Sequence, residues 1–328
     1  MAKRPWIKYL TMVAVCFGFA WAALYPFVSP LPTYDFKVFL SVGRGEIRTD
    51  YYYAPWIVPF YTLVGLFPDN VARSIAFVIS TAGFLLALNT FKGNKILFFF
   101  SYPFLTSIYW GQPDGVFAGS LAIMYLAIKK EEKTPLSSTL VAGFAWFIAC
   151  AKFHIGIPLG FGIWWLFARD KPVGWRIIGV MAVLGLLSVV VYPGWISAWL
   201  ERNRALPPDR TFTVDVWDQV GAPIFLLWIP VFLSRTRDYR WWVATWALTV
   251  PYLHHHGLTH LLTVPVGPIG WLVDISFFTG LTAATYLLIV PAVVYVLAWR
   301  ESWKTDWLAL LLARRRSQPQ PLPVEQVS

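Results

Sequence analysis

The chain has 328 residues, of which 57% are hydrophobic, 18% are aromatic and only 13% are charged. A soluble domain carries about 25% charged residues, so this composition excludes an ordinary globular domain and predicts a polytopic membrane protein. The formal net charge of +10 then marks cytoplasmic loops and contact with anionic lipid rather than nucleic acid. Both cysteines, Cys16 and Cys150, lie inside apolar runs, which argues against a disulfide or a zinc cluster.

The chain begins with Lys3 and Arg4, followed by an apolar run over residues 6–28. This run is too long for the hydrophobic region of a signal peptide, so it predicts an uncleaved first span. Further apolar runs follow, several of them shorter than the roughly 20 residues that a perpendicular span needs; these runs are 55–67, 71–91, 96–110, 115–128, 136–151, 155–168, 177–193, 220–233, 241–253, 261–273 and 275–298.

Basic clusters between the runs decide the predicted orientation, because positive residues concentrate in cytoplasmic loops. All clusters fall on one side if runs 55–67 and 261–273, which contain prolines, are short re-entrant or interfacial helices on the outer side. The sequence therefore predicts an all-α, polytopic transmembrane bundle with about ten crossings, plus or minus two, and both termini in the cytoplasm. The clusters are Lys3-Arg4-Lys8, Lys92-Lys95, Lys129-Lys130-Lys133, Arg169-Lys171-Arg176, Arg235-Arg237-Arg240 and Arg314-Arg315-Arg316.

Two regions follow from this pattern. Residues 1–298 are predicted to form a single transmembrane domain, in which the outer loop 29–54 carries the proposed site. Residues 299–328 are predicted to form a basic cytoplasmic tail that is partly disordered, because its end is rich in proline and glutamine.

Asp35 is the first carboxylate of the chain, and it follows directly after the first apolar run. A polar loop at the mouth of a membrane bundle is where a membrane enzyme would carry its chemistry. The alternative is that Asp35 caps a short interfacial helix.

Asp114, in the turn Gly111-Gln112-Pro113-Asp114-Gly115, is the only charged residue between Lys95 and Lys129. An ionisable group isolated among apolar spans predicts a functional site, although an aspartate can also cap the helix that begins there. Lys152 lies at the outer end of a predicted span, against the topological bias. Such a lysine holds a phosphate as a point charge or extends to lipid headgroups.

His154 lies near Lys152, and the other four histidines all fall between residues 254 and 260. His256 and His260 have the i, i+4 spacing that can hold a metal, but no HExxH pattern is present. Contact with a phosphate or a sugar is the favoured hypothesis for these side chains. The sequence predicts no cofactor, with a divalent metal as the open alternative.

The loop 194–219 mixes charges with tryptophans, which predicts an amphipathic piece on the membrane surface. Most of its charges are expected to be solvated, but Arg204 or Arg210 could clamp a phosphate bidentately. No Walker loop, nucleotide-binding GxGxxG or GxSxG motif is present, which disfavours a nucleotide-fuelled mechanism.

The order of these features resembles the GT-C superfamily of integral-membrane glycosyltransferases, in particular the bacterial polyprenyl-phosphate-dependent mannosyltransferase branch. The resemblance covers about the first half of the chain. The matching pieces are Tyr34-Asp35-Phe36, Gly45 with the following YYYAPWIVPF, Arg73, the segment from Ser101-Tyr102-Pro103 into Gly-Gln-x-Asp at Asp114, and the segment from Ala142-Gly143 to Lys152.

The resemblance implies an inverting transfer of a mannose-like sugar from a polyprenyl-phosphate donor to a lipid or glycan acceptor on the outer face of the membrane. It implies that Asp35 is the general base and that Asp114 positions the acceptor or supports the base. Lys152 and an arginine would neutralise the phosphate leaving group. The full set of expected substrate-binding residues is Tyr34, Gln112, Lys152, His154, Arg204, Arg210, His256 and His260.

The expected partners are the donor, the acceptor and membrane lipids, and the expected location is a bacterial inner membrane. The alternative function is a non-catalytic membrane subunit or a lipid carrier with a similar fold. Convergence of Asp35, Asp114 and Lys152 on one outward cavity open to lipid would favour the enzyme. An Asp114 that only caps its helix, with Asp35 in bulk water, would favour the subunit.

Overall fold

The computed structural model of the chain describes residues 5–29, 34–46, 51–130, 135–204, 213–214, 220–250, 253–274 and 286–316. Within these ranges the protein is helical, apart from one antiparallel pairing of two residues on each side, Thr213 with His254 and Val214 with Leu253. The predicted all-α class is therefore confirmed.

The α-helices are α1 Pro5–Val28, α2 Tyr34–Gly43, α3 Val58–Val64, α4 Asp69–Phe91, α5 Lys95–Phe99, α6 Tyr102–Trp110, α7 Asp114–Lys130, α8 Pro135–Ala149, α9 Phe153–Phe167, α10 Pro172–Val191, α11 Trp195–Arg204, α12 Trp228–Leu233, α13 Tyr239–Thr249, α14 Leu258–Leu262 and α15 Tyr286–Arg316. Four 3-10 helices cover Pro55–Ile57, Ala222–Leu227, His255–Gly257 and Pro268–Asp274. The paired strands are β1 Thr213–Val214 and β2 Leu253–His254.

Three helices, α1, α4 and α10, are long and apolar enough to cross a membrane. The segments predicted to be short, 55–67 and 261–273, contain the short helices Pro55–Ile57 and Val58–Val64, most of Pro268–Asp274 and the end of Leu258–Leu262. Helix α15 continues past residue 298 to Arg316, so the first part of the predicted tail is helical. Residues 317–328, where disorder is predicted, lie outside the described residues.

The predicted run 96–110 is interrupted in the structure, and the cause is local. Asn94 begins α5 by accepting hydrogen bonds from the backbone N–H groups of Ile96 and Leu97. Ser101 then caps a second helix, α6, through the N–H of Phe104. Gly111, with φ of 72°, ends α6, because this left-handed conformation is one that glycine adopts without strain. The chain can then turn sharply into Gln112 and Asp114.

Close packing of α4 against α7 fixes the position of Asp114. A Cβ atom on Gly83 would overlap the carbonyl oxygen of Gly115, and one on Gly119 would lie 2.8 Å from the Cα of Gly83. Gly115 and Gly119 form a GxxxG pair, the spacing that lets two helix backbones approach closely in a membrane. The first turn of α7 is therefore held directly against α4.

The bundle has two chemically different ends. At one end, the rings of Phe91, Tyr125, Phe167 and Tyr239 meet, and each lies next to a basic cluster in sequence. Asp114 begins α7 and Lys130 ends it, and the 17 residues of this helix span about 25 Å at 1.5 Å per residue. The Asp114 end is thus separated from the basic end by the length of a helix.

The glycine contact gives a first test. We expect Gly83→Ala to lower the free energy of unfolding by about 1–3 kcal/mol, because the added methyl group forces α4 and α7 apart. The measurement is thermal unfolding of the purified protein in detergent supplemented with lipid.

Gly185→Ala is the matched control, since a Cβ atom at this position of α10 meets nothing within 4 Å. It should leave stability unchanged or raise it slightly, because alanine restricts the unfolded chain more than glycine does. Equal unfolding temperatures for the two variants would contradict the proposed packing.

Candidate active site

Asp114 lies at the centre of a polar cluster, and its carboxylate is completely buried. Its Oδ1 atom lies 2.7 Å from Nζ of Lys152, and its Oδ2 atom lies 2.8 Å from Nδ1 of His256. A charge in such surroundings needs partners of this kind, because an unpaired buried ion is strongly unfavourable. The three residues come from the start of α7, the residue before α9 and a 3-10 helix.

The contacts of Asp114 bear on whether it acts as a helix cap. The Gly115 N–H at the start of α7 donates to Ser80 Oγ at 3.0 Å. The Val116 N–H donates to the Pro113 carbonyl at 2.9 Å. Since Ser80 and Pro113 serve these N–H groups, the two carboxylate oxygens of Asp114 are directed to Lys152 and His256. Asp114 therefore does more than cap α7.

Gln112 extends the cluster to Asp35. Its Oε1 atom accepts hydrogen bonds from the Tyr53 hydroxyl at 2.6 Å and from Nζ of Lys152 at 3.4 Å. Its Nε2 atom donates a hydrogen bond to Oδ2 of Asp35. The side chains of Asp35, Gln112, Lys152, Asp114 and His256 thus form one continuous polar chain, which we call the polar relay.

Asp35 is the most accessible member of the polar relay. The other four members are between 0 and 8% exposed, whereas Asp35, in the first turn of α2, is partly exposed. Burial raises the pKa of the Asp35 carboxyl above its ordinary value, and His256, Lys152 and the Gln112 hydrogen bond act in the opposite direction. A carboxylate with a raised pKa and access to the surface is suited to accept a proton.

The tyrosine segment 51–53 is held firmly beside the polar relay. The Ala54 N–H, which follows it, donates to the carbonyl of Ala151, next to Lys152, at 3.0 Å. Trp199 and Arg202 of α11 donate to the carbonyls of Tyr52 and Tyr51 at 2.9 and 3.0 Å. Helix α11, which lies in the loop 194–219, therefore packs over this segment.

Phe39, one turn after Asp35 on α2, forms an aromatic wall with the same segment. Its ring lies 4.8 Å from Tyr53 in an edge-on contact and 4.8 Å from Tyr61 in a stacked one. The ring of Phe117 is stacked on Tyr53 with the ring centroids 6.0 Å apart. These contacts fix the direction in which the Tyr53 hydroxyl points.

The remaining histidines surround His256. His254 stacks on it with ring centroids 5.0 Å apart, and burial with nearby His256 and Lys152 lowers the pKa of His254 to about 3. His260 is 2% exposed and lies edge-on against Trp246, whose indole N–H donates to the His154 carbonyl at 2.6 Å. Among the described residues, no group of three His, Cys, Asp or Glu side chains is arranged to hold a metal ion.

The structure brings together five of the predicted site residues, Asp35, Gln112, Asp114, Lys152 and His256, and packs His154 and His260 around them. Tyr34 begins α2 and Arg204 ends α11, but the side chains of both lie outside the description, as does all of Arg210. Sequence reasoning did not single out Ser80, and it considered Tyr53 only as one of the triplet Tyr51 to Tyr53, for membrane-belt or sugar contacts. The only signal for Tyr53 is its place in a tyrosine triplet, which does not distinguish it from its neighbours.

Comparisons with protein-family models, with curated proteins and with solved structures found no match to this chain. The resemblance to the GT-C superfamily therefore rests on motifs in the sequence. Three of those motifs contribute Asp35, the Gln112–Asp114 turn and Lys152, which are the residues that meet in the polar relay.

The buried ion pair gives a second test. We expect Lys152→Met to destabilise the protein by about 3–5 kcal/mol, because it leaves the Asp114 charge buried beside His256 alone. Adding Asp114→Asn to this variant should recover part of the loss, since the uncompensated charge is then removed. Denaturant or thermal unfolding in lipid-supplemented detergent measures both effects.

Arg237→Met serves as the control. It removes one partner of the Arg237–Asp170 pair, whose atoms lie 3.8 Å apart and whose side chains are 59 and 66% exposed. Such exposed pairs contribute at most about 1 kcal/mol. A Lys152→Met variant no less stable than this control would mean that the Asp114–Lys152 pair is absent in the membrane.

Proposed function

We propose that this protein is an inverting glycosyltransferase that moves a mannose-like sugar from a polyprenyl-phosphate donor to a lipid or glycan acceptor. The observation that carries the proposal is the polar relay, which joins a partly exposed carboxylate, Asp35, to a buried lysine, Lys152, through Gln112. A base and a cation close to each other are the two groups that such a transfer needs.

In this proposal Asp35 is the catalytic residue that accepts the proton of the acceptor hydroxyl as the oxygen attacks the anomeric carbon. The bond from that carbon to the donor phosphate breaks on the opposite face, and the phosphate leaves with the electron pair. Asp35 suits this role because it is the accessible member of the polar relay and its pKa is raised by burial. The phosphate needs charge neutralisation rather than a proton.

The net charge of the polar relay indicates that an anionic donor requires a further cation. Asp35, Asp114 and Lys152 together carry a net charge of −1 when His256 is neutral, and zero when it is protonated. An anionic donor therefore needs an additional cation beside the relay. Among the described arginines, Arg202 is the best candidate for this cation, because it donates to the Tyr51 carbonyl. Arg204 and Arg210 remain candidates from the sequence.

The topology proposed for this function has about ten crossings, both termini in the cytoplasm and the polar relay at the outer side of a bacterial inner membrane. Support comes from the long apolar helices α1, α4 and α10. It also comes from the separation of the relay from the basic clusters by the length of α7, because basic residues favour the cytoplasmic side.

The second candidate is a non-catalytic membrane subunit or lipid carrier. The observation in its favour is the burial of Asp114 and Lys152, which are 0 and 7% exposed and already paired with each other. In that case the polar relay would stabilise the bundle without turnover.

The test is transfer of radiolabelled sugar from a panel of polyprenyl-phosphate donors to lipid and glycan acceptors by the purified protein in lipid. We expect Asp35→Asn to lower the transfer rate about 10²- to 10⁴-fold, the usual contribution of a general base. The variant should still bind the donor, because the amide keeps the shape of the carboxylate.

Asp69→Asn is the matched control, since it neutralises an exposed carboxylate of α4 that pairs with Arg44; its rate should equal that of wild type. Equal transfer by wild type and Asp35→Asn would remove Asp35 from the mechanism. No transfer by the wild-type protein across the panel would favour the non-catalytic subunit.

A further inference from the structure

The orientation of the Gln112 side-chain amide is determined by its neighbours. Lys152 is a donor only, and a carboxylate is an acceptor only. If the amide were rotated by 180°, its NH₂ group would face the Lys152 ammonium and its oxygen would face Asp35 Oδ2, so that two of its contacts would be repulsive. The arrangement with Oε1 toward Lys152 and Nε2 toward Asp35 is therefore the one that the cluster accepts.

Tyr53 reinforces this orientation from a third direction. Its hydroxyl donates to Gln112 Oε1 at 2.6 Å, which is shorter than the 3.4 Å from Lys152 Nζ to the same atom. The ring of Tyr53 itself packs against Phe39 and Phe117, so packing directs the hydroxyl at the amide. The hydrogen bond from Tyr53 thus orients the Gln112 amide even when the contact with Lys152 lengthens.

We propose that Tyr53 and Gln112 are positioning residues that hold the Asp35 carboxylate ionised and fixed in rotation, with Oδ2 bound and Oδ1 presented to the acceptor hydroxyl. This inference deepens the proposed function and rests on it for the identity of the proton donor. The positioning of Asp35 itself depends only on its contacts with the neighbouring side chains. No described residue other than Gln112 donates a hydrogen bond to Asp35 in this structure.

The groups that act on Asp35 come from three segments besides its own helix. Lys152, His256 and Asp114 face it electrostatically, and Gln112 supplies the hydrogen bond. Lys152 and His256 favour the ionised carboxyl, while Asp114 and burial disfavour it. Because a hydrogen bond donated to a carboxylate also favours its charged form, loss of the Gln112 bond should make Asp35 harder to ionise.

The experiment follows the ionisation of Asp35 by infrared titration of the protein in lipid, with the carboxyl band assigned by subtracting Asp35→Asn. We expect Tyr53→Phe, which keeps the packed ring, to move the titration midpoint upward. Gln112→Leu, which removes the donor itself, should move it further. Tyr239→Phe is the control, because it removes another buried tyrosine hydroxyl, one that donates to the Leu159 carbonyl at 3.4 Å.

Transfer rates over a pH series give the second readout. Below the wild-type midpoint, Tyr53→Phe should transfer about three- to tenfold more slowly, the effect of one hydrogen bond. At high pH its rate should return to the wild-type plateau, since the base is then fully ionised. A merely structural defect would lower the rate at every pH.

The outcomes separate the two proposals. An unchanged midpoint in both Tyr53→Phe and Gln112→Leu would overturn the positioning role, whatever the transfer rates. A raised midpoint in these variants, with Tyr239→Phe unchanged, supports it. If the midpoint rises but wild type transfers no sugar, the positioning role stands and the glycosyltransferase function fails.

Discussion

The Asp114 carboxylate has no access to solvent, yet it carries the only charge in a stretch of more than thirty residues. Its position is tolerable because Lys152 and His256 bind its two oxygens. These two partners lie 38 and 142 residues away in sequence, so satisfying one carboxylate draws together the start of α7, the start of α9 and the histidine segment. The rest of the site depends on that convergence.

Backbone packing and hydrogen bonding cooperate in holding this arrangement. Gly83 and Gly115 let α4 and α7 touch, and the Ser80 hydroxyl binds the Gly115 N–H from across the interface. Asp114 is thereby free to bind side chains rather than its own helix. From Lys152 the contacts pass through Gln112 to Asp35, so a partly exposed carboxylate is oriented by a rigid interior.

Much of the fold class follows from the sequence, because long apolar runs with few charges leave helices as the dominant way to satisfy the backbone in lipid. The break between α5 and α6 was also readable in principle, since Asn94 and Ser101 with the following Pro103 are good starts for helices. A continuous apolar run from 96 to 110 obscures it. Hydrophobicity therefore predicts the presence of a segment better than its internal breaks.

Asp35, Asp114 and Lys152 were predictable as site residues, because each is a charged residue in or beside an apolar run. Which residues pair with which was not predictable, because contacts between distant segments depend on packing. Tyr51, Tyr52 and Tyr53 are chemically identical, and it is packing against rings such as Phe39 and Phe117 that directs the third hydroxyl toward Gln112. His256 is likewise distinguished from its neighbours by a single contact to Asp114.

The most direct test of this account is a solid-state NMR distance measurement in lipid bilayers between the carboxyl carbon of Asp114, labelled with ¹³C, and the ammonium nitrogen of Lys152, labelled with ¹⁵N. The 2.7 Å contact between Oδ1 and Nζ predicts strong dipolar dephasing between the two labels, which should disappear in Lys152→Met. Absence of dephasing in the wild-type protein would mean that the buried pair does not form, and the polar relay that depends on it would have to be abandoned.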